Sequence, residues 1–184
     1  MAMKSTAQRY GALSIGMHWL MLALLVAVYA CIELRGIYPK GSDLREAMKM
    51  WHFMLGLSVF ALVFVRIALR VAGRTPPIVP EPSRWQHALA ALVHLAIYAF
   101  LIVMPLLGWL VLSADNEPVP FFGLQLPALV GPDKALAHQL EEIHETIGTI
   151  GYYLIGLHAA AALLHHYVMR DNTLLRMLPR RGRA

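Results

Sequence analysis

Cysteine is almost missing from this sequence: Cys31 is the only one in 184 residues. One thiol cannot close an intrachain disulfide, and it excludes a Cys-based zinc or iron–sulfur site. Charge is scarce too, at 15% of residues against 58% hydrophobic, with a mean hydropathy of +0.55. A water-soluble domain of this length needs more polar surface than that, so the implied solvent is lipid. No low-complexity tract and no polar region large enough for a second domain breaks the chain, which reads as a single domain over residues 1–184. Cys31 follows Val28-Tyr29-Ala30, and Tyr29 makes this a poor lipoprotein cleavage box. A histidine and a tryptophan inside the first apolar stretch also argue against a removable signal peptide.

Long apolar runs are what the chain has in excess. Four of them, at about 13–32, 50–69, 89–112 and 147–169, are each long enough to cross a hydrocarbon core of about 30 Å. The segments between them read as loops. Residues 35–49 are polar, and the proline-rich stretch from Gly73 to Pro82 cannot be helical. The segment 113–142 carries Pro118, Pro120, Pro127 and Pro132. Within it, Phe121, Phe122, Leu124 and Leu126 suggest a piece lying on the membrane surface. The predicted fold is all-α, an integral membrane four-helix bundle.

Basic residues set the expected orientation. The N-terminus, the second loop and the C-terminal tail share one side. That side holds 11 of the 16 Lys and Arg residues (4, 9, 66, 70, 74, 84, 170, 176, 180, 181 and 183) and 2 of the 11 acids, a net +9. The opposite side holds 5 basic and 9 acidic residues, a net −4. Both termini are therefore expected in the cytoplasm of a bacterium, with the protein multi-pass in its inner membrane. The overall positive charge is a topological signal and gives no support to nucleic-acid binding.

Nine histidines in so apolar a chain demand a reason, because ionisable groups at membrane depth are costly and usually functional. His144 and His158 are fourteen residues apart, close to four helical turns, so they share a face about 21 Å apart along the axis. Depth in the membrane pairs His52 with His144 near the periplasmic side and His18 with His158 nearer the cytoplasm. Two stacked bis-histidine sites in one bundle suit two low-spin hemes. Gly56 and Gly148 each follow a histidine of the outer pair by four residues, where a flat macrocycle can lean on the backbone. A non-heme metal would want several close histidines with carboxylates or thiolates, and no carboxylate is placed inside the membrane. Of the rest, His165 lies on nearly the face of His158, and together with His166 it is a candidate to bond a heme propionate or a quinone carbonyl. His87 and His94 share a face of the third helix, and His138 is assigned to solvent. Arg66 and Arg70 either pair with propionates or snorkel to the interface. Arg35, Lys40, Arg45 and Lys49, ahead of His52, offer a positive funnel for a small anion or are merely solvated.

These residues make the chain resemble the bacterial cytochrome b561 family of di-heme membrane cytochromes. The likeness runs over nearly its whole length and is carried by Ser14-Ile15-Gly16-Met17-His18-Trp19-Leu20, Thr75-Pro76-Pro77-Ile78-Val79-Pro80, His144-Glu145-Thr146, Gly156-Leu157-His158-Ala159-Ala160-Ala161-Ala162 and Asp171-Asn172-Thr173-Leu174-Leu175-Arg176-Met177. The resemblance implies His18, His52, His144 and His158 as axial ligands of two b hemes. It implies electron transfer involving ubiquinone, and for close members oxidation of periplasmic superoxide. The partners so implied are membrane lipid, ubiquinone and superoxide, with no obligate protein partner. The alternative is a di-heme membrane anchor and electron-carrying subunit of a larger dehydrogenase or hydrogenase.

Overall fold

The computed structural model describes residues 9–179, so Lys4, Arg180, Arg181 and Arg183, counted above in the charge asymmetry, lie outside the described residues. Helix α1 runs over Ala12–Leu34, α2 over Asp43–Ala72, α3 over Arg84–Ala114 and α4 over Lys134–Tyr167. All four are long and apolar enough to cross a membrane. A short 3-10 turn, Arg35–Ile37, closes α1, and two strands, β1 at Val119–Phe121 and β2 at Leu124–Leu126, stand between α3 and α4.

The helices extend past the apolar runs that announce them, and local caps explain where they begin. Helix α4 starts at Lys134, well before the apolar stretch at 147, because the Asp133 Oδ1 accepts the backbone N–H groups of Ala135 and Leu136 at 3.0 Å each. Such a side-chain acceptor satisfies donors that the first turn leaves orphaned. The 113–142 segment is therefore a connection only as far as Asp133, and His138 sits on α4. It is solvated there, with its side chain 72% exposed and Nδ1 3.8 Å from Glu142. Helix α3 opens where the Ser83 backbone N–H and hydroxyl both donate to Gln86 Oε1 at 2.8 Å. Likewise α2 begins at Asp43, inside the stretch read as polar loop.

The surface segment around Phe121 is a β-hairpin. Phe121 pairs with Leu124 across a two-residue turn, and both turn residues have positive φ, Phe122 at 46° and Gly123 at 86°. A right-handed-twisted hairpin requires that backbone, and glycine supplies it at the second position without a steric penalty. At the first position Phe122 is held by its N–H on the Met54 sulfur at 3.4 Å and by edge contacts to Phe121 and Trp51.

The chain divides into two compact units, each assembled from segments of all four helices. One comprises Met21–Val63 and Ala99–Ile150. Its core joins Leu57, Leu112 and Val119, with Phe53, Trp109, Phe121 and Leu126 packed against them. The hairpin thus contributes to an apolar core through Val119 while Phe122 and Leu124 stay exposed. The other comprises Met1–Leu20, Phe64–Tyr98 and Gly151–Ala184. In it the C-terminal segment is stitched to the proline-rich loop and to the start of α1. Asn172 exchanges bonds with the Val79 backbone, Arg176 donates to the Pro76 carbonyl, and Trp19 Nε1 donates to Met177 O at 2.8 Å.

Candidate heme-binding sites

Each unit brings one histidine pair together. His52 on α2 and His144 on α4 have ring centroids 6.2 Å apart with planes at 75°. His18 on α1 and His158 on α4 also stand 6.2 Å apart, with planes at 65°. That spacing is too long for stacking and has a simple chemical reading. Metal–imidazole bonds of about 2.0–2.1 Å, plus about 1.1 Å from each nitrogen to its ring centre, put two trans imidazoles about 6.2–6.4 Å apart across one metal. Among the described residues no group of three or more His, Cys, Asp or Glu side chains could hold a bare metal ion. Two imidazoles alone suit a metal whose other four positions are already filled, as a porphyrin fills them.

The surroundings of the pairs fit a flat macrocycle. A Cβ built on Gly56, one turn beyond His52, or on Gly16 or Gly156, within a turn of His18 and His158, would meet nothing within 4 Å. Gly148 is different, since a Cβ there would contact the Met104 Cε at 3.5 Å. A closer approach, which the sequence did not reveal, occurs at Gly108 on α3. A Cβ there would lie 3.3 Å from Cε1 and 3.8 Å from Nδ1 of His144, so the imidazole rests directly on helix backbone.

The second nitrogens of the rings decide their tautomers. His52 Nδ1 donates to the Val28 carbonyl at 3.0 Å, which leaves the Nε2 lone pair free to ligate. His144 Nδ1 is sealed from solvent without a hydrogen bond of full geometric quality, although the Met104 carbonyl acts on the ring. At His18 the arrangement is reversed. The Arg66 guanidinium donates to His18 Nδ1 at 2.8 Å, and a guanidinium never accepts. That contact places the ring proton on Nε2, so ligation of iron by neutral His18 and the Arg66 contact exclude one another. Arg70, the other arginine weighed for propionates, donates to the Tyr10 hydroxyl at 2.7 Å.

The remaining histidines separate. His94 comes within 5.4 Å of the His158 ring, edge to face, while His87 is exposed at the start of α3. His165 and His166 end α4. His165 Nδ1 donates to Asp171 Oδ2 at 2.5 Å; His166 packs on the Tyr167 ring at 4.8 Å with its Nδ1 sealed and unbonded. Burial alone would raise the Asp171 carboxyl, but hydrogen bonds from His165 and Thr173 outweigh it and hold the group below its ordinary range. Asp171 had drawn attention only as part of a motif. In the loop before His52, Lys49 is paired with Glu46 at 3.0 Å, and Arg45 is turned onto the carbonyls of Arg35 and Tyr38. Arg35 itself lies close enough for its charge to be felt by His52.

Histidine pairs spaced for an axially ligated porphyrin, set in four apolar spans, define a b-type membrane cytochrome that carries electrons. A family model described as prokaryotic cytochrome b561 matches residues 9–180, and the chain belongs to that family. Cytochrome b561 homolog 1 of Escherichia coli K12 is 39% identical over 173 residues, covering 94% of this chain and 98% of that one. The probable superoxide oxidase CybB of Yersinia pestis is 41% identical over 174 residues, covering 95% and 98%. Cytochrome b561 homolog 2 of E. coli K12 is 28% identical over 186 residues, covering 97% and 95%. The protein is accordingly a multi-pass oxidoreductase of the bacterial inner membrane.

Proposed function

We propose that this protein is a superoxide:ubiquinone oxidoreductase with both termini in the cytoplasm. In this reading His52 and His144 ligate one b heme, His18 and His158 ligate a second, and ubiquinone binds around His165 and His166. The observation that carries it is the repeated 6.2 Å spacing of two imidazole pairs. The likeness to a protein named as a probable superoxide oxidase supports the choice of donor. When bound, each heme supplies a carrier for one electron. Two axial imidazoles leave no open coordination position, which suits a donor that gives up its electron without being ligated. Two superoxide anions become two molecules of O2 and release two electrons; one ubiquinone takes up those electrons with two protons to become the quinol. One member of each pair, His144 and His158, belongs to α4, and its partner comes from α2 or α1.

The test uses purified holoprotein in lipid nanodiscs, an enzymatic superoxide source and a water-soluble ubiquinone analogue. Two superoxide ions should disappear per quinol formed, with O2 and no hydrogen peroxide as product. Peroxide in equimolar yield with O2 would indicate dismutation instead. Hemes that quinol reduces but superoxide does not would make the chain an electron carrier for a separate dehydrogenase.

A further inference from the structure

The end of α4 folds back on itself in a way that the electron path does not require. Arg170 adopts φ +56°, a left-handed residue just past the helix, and the Asp171 N–H returns to the His165 carbonyl at 3.1 Å. The bond spans one residue more than the 6→1 closure of a Schellman turn, and the left-handed position is filled without glycine. Its effect is to bring the Asp171 side chain against the ring of His165. Both carboxylate oxygens are used: Oδ2 accepts His165 Nδ1–H at 2.5 Å, and Oδ1 accepts the Thr173 N–H at 2.8 Å. The carboxylate is 3% exposed and the imidazole 20% exposed. An acceptor-only carboxylate on Nδ1 fixes the ring's orientation and tautomer, so Nε2 is the nitrogen left to exchange a proton.

We propose that Asp171 is a positioning residue that holds His165 as the proton donor to a quinone carbonyl at the end of α4. The inference rests on the quinone site proposed above. His165 gives the Nε2 proton to a carbonyl oxygen as that oxygen gains an electron. The ring keeps its Nδ1–H on Asp171 throughout, and Nε2 is reprotonated from water at the membrane surface. Two such transfers, with the two electrons from superoxide, complete the quinol. Beside His165, the buried Nδ1 of His166 is a polar atom for which the described residues supply no partner. The charged and titratable groups around the pair are Arg176, 7% exposed, and, acting through Arg176, Tyr10 and Arg70. Arg176 is committed to the Pro76 carbonyl and to the face of the Tyr10 ring at 5.8 Å, so Asp171 retains its bond to His165.

The experiment compares holoprotein of the wild type, Asp171→Asn and His165→Gln in nanodiscs. It follows heme oxidation by a ubiquinone analogue against pH and in D2O, together with heme content and the KM for the analogue. Glutamine can still donate to Asp171 and keep the turn closed, but it has no proton to transfer. Both variants should keep both hemes, and quinone reduction should slow about 100-fold, the usual worth of a positioned general acid. The pH dependence should flatten and the solvent isotope effect should disappear. A raised KM in His165→Gln with an unchanged pH profile and isotope effect would overturn the proton-donor role while leaving the quinone site standing. An unchanged KM, rate and isotope effect in His165→Gln would overturn the quinone site itself. If Asp171→Asn lowers thermal stability yet keeps the wild-type pH profile, the bond is only a clasp.

Discussion

Gly108→Ala is a one-carbon change whose consequence can be worked from the contact it creates. The new Cβ would stand 3.3 Å from His144 Cε1, inside the ordinary carbon–carbon contact of about 3.5–4.0 Å. A few tenths of an ångström must be recovered by turning the imidazole off its rotamer or by moving α3 or α4. Overpacking of that kind costs about 1–3 kcal/mol. Alanine also favours a helix interior over glycine by about 0.8–1.0 kcal/mol, which offsets part of that cost and makes thermal stability a poor readout. The strain falls on the ring, and the measurement belongs there. If His144 is an axial ligand, heme affinity at the His52–His144 pair should drop roughly 5- to 150-fold, since each 1.4 kcal/mol is tenfold. The low-spin EPR signal of that heme should also shift, because its anisotropy follows the angle between the ligand planes, now 75°. Heme titration of the heme-free protein with EPR of the refilled product checks both. Gly148→Ala is the control, because its Cβ would meet only the flexible end of Met104 at 3.5 Å. Wild-type heme affinity and an unaltered EPR spectrum in Gly108→Ala would refute the placement of His144 on iron.

If the proposed ligation holds, one heme of two should be lost in each case: the same one in His52→Ala and His144→Ala, the other in His18→Ala and His158→Ala. Difference spectra showing that His52→Ala and His158→Ala lose the same heme would break the pairing. If superoxide is the donor, its steering should depend on Arg35, whose charge is felt by His52, more than on Lys49, which is paired with Glu46. Stopped-flow heme reduction should therefore slow with rising salt and in Arg35→Glu, with a smaller loss in Lys49→Glu; indifference to both would retire the funnel. Asp171→Asn should destabilise the protein at neutral pH by about 1–3 kcal/mol, the cost of leaving buried partners unsatisfied. The Asp171 value is depressed in the folded state, so its contribution is present above the ordinary value of 3.8 and is lost as pH falls below it. The difference in melting temperature between variant and wild type should close over that acid range, and a constant difference would deny that the carboxylate is the source.

How far the sequence could be read depended on the range of the interaction being read. The four spans were legible because each is a property of about twenty consecutive residues facing one solvent. The helix ends were not, because they are set by single side chains such as Asp133, whose carboxylate starts α4 in a stretch that hydropathy marks only as polar. Pro132-Asp133 was the available signal, and the apolar window masked it. The hairpin was hidden for a similar reason. Its turn is Phe122-Gly123 instead of the Asn-Gly or Asp-Gly that commonly announces one, and Phe122 is kept at positive φ by Met54 and Trp51 from a distant helix.

The histidine pairs were legible because depth in a membrane turns sequence position into height, so residues far apart in the chain can be matched level by level. Height says nothing about direction around a helix, and there the reading fell short. His94 lies at a height that could serve a propionate or a neighbouring helix, and only the packing shows it edge-on to His158. Gly108 gave no hint of holding His144, since a glycine in a membrane helix is explained well enough by close packing. The tautomers were beyond reach altogether. His52 and His18 are the same residue type in similar apolar runs, yet one donates to a carbonyl and the other faces a guanidinium. On His52 the nitrogen left free is an Nε2 lone pair, whereas on His18 the guanidinium takes the Nδ1 lone pair and the proton stays on Nε2.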